Sequence, residues 1–283
     1  MSGVAVIAGY AVRESTRRRV FVVVLILTVA FLGLYAFGTE AAFDSTRGIS
    51  AGAQLEDEVL TGSTLLGLAM FATLFLGCVL AVFLTLGAVR GDAERGLLQP
   101  LVVRPLGRTE LLAGRFAAAG GVCAAYVAAV YAAAVLITGS AGGWWPDNPV
   151  GAGLGLVFAV VLIAALSLLG SIFLSATANG IAIFMAFGAG LTAGLLGQIG
   201  DALSVETLET IAEVASWLLP FEALYQAGLN ALTEDVRGTT GVIVQLGPFG
   251  GAQEGGSLLW VWSAAWLALV AAAARVAFAR RDL

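Results

Sequence analysis

The chemistry open to this chain is set first by two residue types it lacks. It has no His, and all 14 of its basic residues are Arg, so Lys is missing as well. Without Lys there is no P-loop lysine to reach the phosphates of a nucleotide. Without His there is no His-ligated metal, no imidazole base and no Ser-His-Asp arrangement. The two thiols, Cys78 and Cys123, fall within apolar runs and read as inert packing residues. What remains is carboxylates, guanidinium groups, hydroxyls and carboxamides. Such groups can dock a partner, hold a lipid headgroup or tie helices together.

What these groups do depends on the elements that carry them, and composition decides the solvent of those elements. Hydrophobic residues make up 59% of the 283 and charged residues 12%, with a mean hydropathy of +0.95. A soluble domain is about a quarter charged, so this chain could not cover its surface in water. A crossing of the ~30 Å hydrocarbon core needs about 20 apolar residues in a helix. Six stretches meet that length, at 20–39, 63–89, 111–138, 153–174, 181–199 and 256–274. The fourth and fifth come from one uncharged run between Asp147 and Asp201, far too long for a single crossing. Ser175-Ala-Thr-Ala-Asn179-Gly180 is the expected reversal, since Asn-Gly is a turn signal. The sequence therefore predicts an all-α membrane protein. Its first span does not read as a cleaved leader, because no small-residue cleavage pattern follows the apolar run.

Arginines are retained on the cytoplasmic side of a membrane. Arg13, Arg17, Arg18 and Arg19 precede span one; Arg90, Arg95, Arg104, Arg108 and Arg115 flank the turn between spans two and three; Arg275, Arg280 and Arg281 follow span six. With six spans all of these share one side, and only Arg47 and Arg237 fall on the other. Both termini are then cytoplasmic. The outer side collects Glu40, Asp44, Glu56, Asp57, Glu58, Asp147 and the acids between Asp201 and Glu254, which read as solvated loop surface. Trp144 and Trp145 stand where an interfacial aromatic belt would place them. The outer segment 201–255 is the largest extramembrane piece. Leu208, Ile211, Ala215 and Leu218 recur at helical spacing with Glu206, Glu209 and Glu213 between them, which predicts an amphipathic helix. Pro220 separates it from a second short helix around Glu222–Leu232, and both are expected on the outer mouth of the bundle.

The cores of the six spans hold no ionisable residue. A proton-coupled transporter would lack its relay, while a sodium-coupled one, which can use backbone and hydroxyl oxygens, is disfavoured. Any uphill movement then draws its energy from another polypeptide. Ser167, Ser171, Asn179, Thr192 and Gln198 are the notable polar residues of the later spans. Their plainer role is interhelical hydrogen bonding, at about 0.6 kcal/mol each. The alternative sets Thr192 and Gln198 on a substrate path. Gly190 and Gly194 form a small-xxx-small pair that lets helices approach closely.

The most informative segment is the basic loop 90–110. Leu97, Leu98, Leu101 and Val102 share one apolar face of a short helix, Pro105 stops it, and Thr109 can cap the third span. An exposed apolar face on a cytoplasmic helix wants a lipid interface or a protein partner. Glu94, Gly96, Leu97, Leu98, Pro105, Arg108, Gly114 and Arg115 together resemble the coupling loop of the ABC-2 permease family, with Pro100 a departure from that pattern. Ala8–Arg19 resembles the family's interface helix, and Ala279-Arg280-Arg281-Asp282-Leu283 its usual ending. The long outer insertion before span six is similar to that of the permease for nitrous-oxide reductase maturation.

This resemblance implies a homodimer of the chain, docked on two separate ATPase subunits that carry the ATP and Mg, and export as the direction of transport. The docking set is then Glu94, Arg95, Gly96, Leu97, Leu98, Leu101, Arg104, Pro105 and Arg108. No cofactor is expected in the chain itself, no nucleic acid as a partner, and the bacterial inner membrane as its home. Two other readings stay open. In one, Arg95, Arg104 and Arg108 only anchor on anionic headgroups, each worth about 1 kcal/mol. In the other, the chain is a lipid-processing enzyme or a non-transporting scaffold. Glu14, Asp92, Glu94, Glu110 and Asp282 form no evident metal cluster for such an enzyme.

Overall fold

In lipid each backbone N–H and C=O must find its partner within the protein, so apolar runs of this length fold as helices. The computed structural model describes residues 9–10, 19–46, 51–86, 108–232 and 256–280. These residues form eight helices and, among them, no strand. In chain order the helices are α1 (Arg19–Thr46), α2 (Ala51–Thr85), α3 (Arg108–Gly142), α4 (Pro149–Phe173), α5 (Ala176–Leu203), α6 (Glu206–Leu218), α7 (Pro220–Asn230) and α8 (Ser257–Ala279). Six of them, α1 to α5 and α8, are long and apolar enough to cross a membrane.

The helices overrun the apolar stretches of the sequence. α1 continues past Thr39 through Glu40 and Asp44 to Thr46. α2 and α3 have 35 residues each, about 52 Å at the usual rise and longer than the ~30 Å hydrocarbon core. Apolar composition marks where lipid ends, whereas the hydrogen-bond ladder runs on into water.

The reversal between α4 and α5 is sharper than the Asn-Gly signal predicts. Leu174 turns extended, and Ser175 caps α5 by accepting from Ala178 N at 3.4 Å. Asn179 and Gly180 lie within the first turns of α5. Asn179 is fully buried and donates Nδ2 to the Ser167 carbonyl at 3.0 Å. Its side chain thus pins the hairpin closed rather than forming the turn.

α4 is the hub of the bundle and packs on α2, α3, α5, α7 and α8. α2 and α4 are the most deeply buried spans, while α1 and α8 lie at the periphery. One cluster built from Leu66, Met70, Leu74, Leu156, Ile163 and Phe221 forms most of the core. Hydroxyl pairs cross it between helices. Thr28 bonds Tyr126 and Tyr35 bonds Thr138, each at 2.6 Å, joining α1 to α3. Thr85 bonds Ser167 at 2.6 Å, joining α2 to α4. Ser167 therefore links three helices, a structural use of the polar span residues. Cys78 and Cys123 are both buried and free.

Candidate functional site

Charge is segregated along the bundle axis. Arg115 lies near the start of α3, and Arg275 and Arg280 at the end of α8, and helix order brings these to one end. Glu40, Asp44, Glu58, Asp147, Glu206, Glu209 and Glu213 lie at the opposite end. The basic end is also where α2 finishes and α3 begins. Arg108 is the first residue of α3, and Thr109 stands inside its first turn rather than capping it. Glu94, Arg95, Gly96, Leu97, Leu98, Leu101, Arg104 and Pro105 lie outside the described residues, as does nearly all of the expected interface helix at 8–19.

The acidic end holds the two short helices expected from the segment after Asp201. α6 follows Ser204, which sits in the left-handed region at φ 53°. None of its residues is fully buried. Ile211, Val214 and Leu218 form an exposed apolar stripe, the arrangement of a helix lying in a membrane interface. Trp262 and Trp266 of α8 donate their indole N–H groups to the Trp217 and Leu218 carbonyls, both at 3.1 Å. Trp217 and Trp262 meet edge to face with centroids 5.0 Å apart. Tryptophan thus staples α6 to the last span.

α7 is placed differently, inside the bundle rather than on its mouth. Its first residue, Pro220, needs no N–H partner there. Phe221, Glu222, Leu224, Tyr225, Gln226 and Gly228 are all buried. The pair Gly190 and Gly194 on α5 makes this possible. A Cβ at Gly190 would lie 2.7 Å from Phe221 Cζ, and one at Gly194 would strike Glu222 Oε1 and lie 2.6 Å from Gln226 Nε2. The small-xxx-small pair therefore receives a helix of its own chain. Phe221 stacks on Phe187 with centroids 6.0 Å apart. At its far end, α7 is tied to the α3–α4 turn, where Asn148 N donates to the Ala231 carbonyl at 3.0 Å.

The carboxylate that α7 buries lies outside the six apolar stretches of the sequence. Glu222 is 6% exposed, and its Oε1 accepts from Gln226 Nε2. Burial away from water pushes its carboxyl up from 4.5 to about 7, against the smaller opposing pull of Gln226. Phe221, Leu224, Tyr225 and Gly228 recur at helical spacing and mark one apolar face of α7, but that spacing does not say how deeply Glu222 beside it is buried.

The two residues expected on a substrate path lie apart in character. Thr192 is exposed on α5, and its hydroxyl donates to the Gly188 carbonyl at 2.9 Å. Gln198 is half-buried one turn beyond Gly194, and its Nε2 is buried without a hydrogen-bond partner among the described residues. The carboxamide oxygen of Gln226 is likewise unpartnered. Near the acidic end, then, Gln198 Nε2 and Gln226 Oε1 are buried without partners among the described residues, while the basic end gathers arginines where α2 ends and α3 begins.

No curated protein matches the chain in sequence. The family model described as ABC-2 family transporter protein does match it, over residues 5–283. The chain belongs to that family and is a multi-pass membrane protein, the permease subunit of an ABC transporter.

Proposed function

We propose that this permease works as a homodimer on two copies of a separate ATPase, and that the loop 90–110 transmits the stroke. The observation that carries the reading is the axial segregation of charge. α2 and α3 hand the chain into the loop at the end that gathers Arg115, Arg275 and Arg280. By the positive-inside tendency this end is cytoplasmic, where an ATPase would be met. Both termini then lie in the cytoplasm, and the membrane is a bacterial inner membrane.

Leu97, Leu98 and Leu101 offer an apolar face to a cleft of the ATPase, while Glu94, Arg95, Arg104 and Arg108 supply ionic contacts around it. ATP and Mg bind the partner, and closure of the ATPases pushes the loop. α2 and α3 carry that displacement into the bundle as rigid rods, because each is one unbroken helix. The spans rearrange between inward and outward access, in the direction of export. The outer segment before α8 supports a likeness to the nitrous-oxide reductase maturation branch.

The reading is tested by reversing charge at Glu94 and Arg108 together (Glu94→Arg, Arg108→Glu) and isolating the chain from its native membrane. Loss of the co-purified ATPase, with the permease still folded, is the expected result. Full assembly and undiminished ATP-driven activity after both changes would overturn it.

A further inference from the structure

At the basic end, α3, α4 and α8 do not close on each other. They leave a cleft of about 340 Å³, within the ~300–1,000 Å³ range of ligand sites. Its floor is Leu112, Ala165, Leu168 and Val270, all buried. The space exists because the facing positions on α3 and α8, Ala113 and Ala271, are small and exposed. At the rim stand Thr109, in the first turn of α3, and Arg275, one turn from the end of α8. Arg275 is exposed and makes no ion pair among the described residues. Glu110, next to Thr109, does not line the cleft.

An apolar slot open to the side of a membrane helix, with a guanidinium at its headgroup end, is complementary to an amphiphile carrying a negative charge. We propose that this cleft holds an anionic phospholipid of the leaflet at the basic end, its acyl chain lying between Ala113 and Ala271 and its phosphate on Arg275 and Thr109. Basic pockets between spans bind acidic headgroups in this way, and the acyl chain fills a space that would otherwise forfeit packing between α3 and α8. The proposal concerns a resident lipid and holds whatever the permease transports.

The test is native mass spectrometry of the full chain taken from vesicles of equal phosphatidylglycerol and phosphatidylcholine. The wild type should retain one phosphatidylglycerol per copy, about fivefold over phosphatidylcholine. Arg275→Gln should erase the preference while some lipid of either kind stays bound. Ala271→Phe, at an exposed position that tolerates a larger side chain, should expel both. Arg280→Gln, beyond the cleft at the C-cap of the same helix, should leave retention as in the wild type. An equal loss in Arg280→Gln would assign the preference to the general basic surface and overturn the site. So would a wild type that retains no lipid, as it would if another segment of the chain or a second copy filled the slot.

Discussion

The two ends of this bundle solve opposite problems. At the acidic end the chain folds back into its own core. α7 is buried on α2, α4, α5 and α8, and it brings with it a carboxyl and the unpartnered carboxamide oxygen of Gln226. At the basic end α2 finishes and α3 begins, the sequence between them is rich in Leu and Arg, and an open cleft remains between α3 and α8. One end is therefore organised for internal packing, and the other is where we propose that a partner docks. A substitution should accordingly disturb stability at the first and partnership at the second.

The strongest way to break that contrast is at Gly194. Gly194→Leu puts a side chain where Glu222 and Gln226 already lie, and overpacking of this kind costs up to about 3 kcal/mol. The variant should melt well below the wild type in detergent. Leu97→Asp with Leu98→Asp, at the other end, should leave the melting curve in place and abolish ATPase binding. Equal melting shifts in the two variants would remove the distinction.

Next in size is the pH response of Glu222. Its carboxyl is held at about 7 in the folded protein against an ordinary value of 4.5, so the folded state binds the proton more tightly. The stability this confers is complete below about pH 4.5 and is lost as pH rises through about 7. The melting temperature should fall across that window in the wild type and lose this component in Glu222→Gln. A slope unchanged by the substitution would place the titrating group elsewhere.

The smallest effects belong to the hydroxyl ties. Thr85→Val and Ser167→Ala should each destabilise by about 0.6 kcal/mol, with Ser167→Ala the larger because Asn179 also donates to its Oγ, at 3.3 Å. Thermal unfolding of both single variants and the pair checks this, and non-additivity is expected because the two share the bond at 2.6 Å.

The helical class and the six long apolar helices were legible because hydrocarbon imposes a length on every span. The division of the run between Asp147 and Asp201 was legible as well, although the turn was misplaced: Ser175 caps and Asn179 packs, and both residue types favour turns and buried hydrogen bonds alike. α6 was legible from the spacing of Leu208, Ile211, Ala215 and Leu218. The depth of α7 was not. Its sequence, Pro220 to Asn230, is too short and too polar to announce a buried helix, and its burial depends on Gly190 and Gly194 about 30 residues earlier. A close approach between helices is a tertiary fact, so Gly-x-x-x-Gly shows that a neighbour fits without saying which one. Of the candidate site residues, Arg108, Thr192 and Gln198 fall among the described residues. The open cleft at Ala113 and Ala271 had no sequence signal, because small residues line tight interfaces and gaps equally well.

The central claim is that the loop between α2 and α3 meets an ATPase, and photocrosslinking tests it most directly. A photoreactive residue replaces Leu98 in one sample and Leu218, on the exposed stripe of α6, in another, each within native membranes. The account predicts a covalent adduct with the ATPase subunit from position 98 and none from position 218. An adduct only with lipid at position 98 would contradict it.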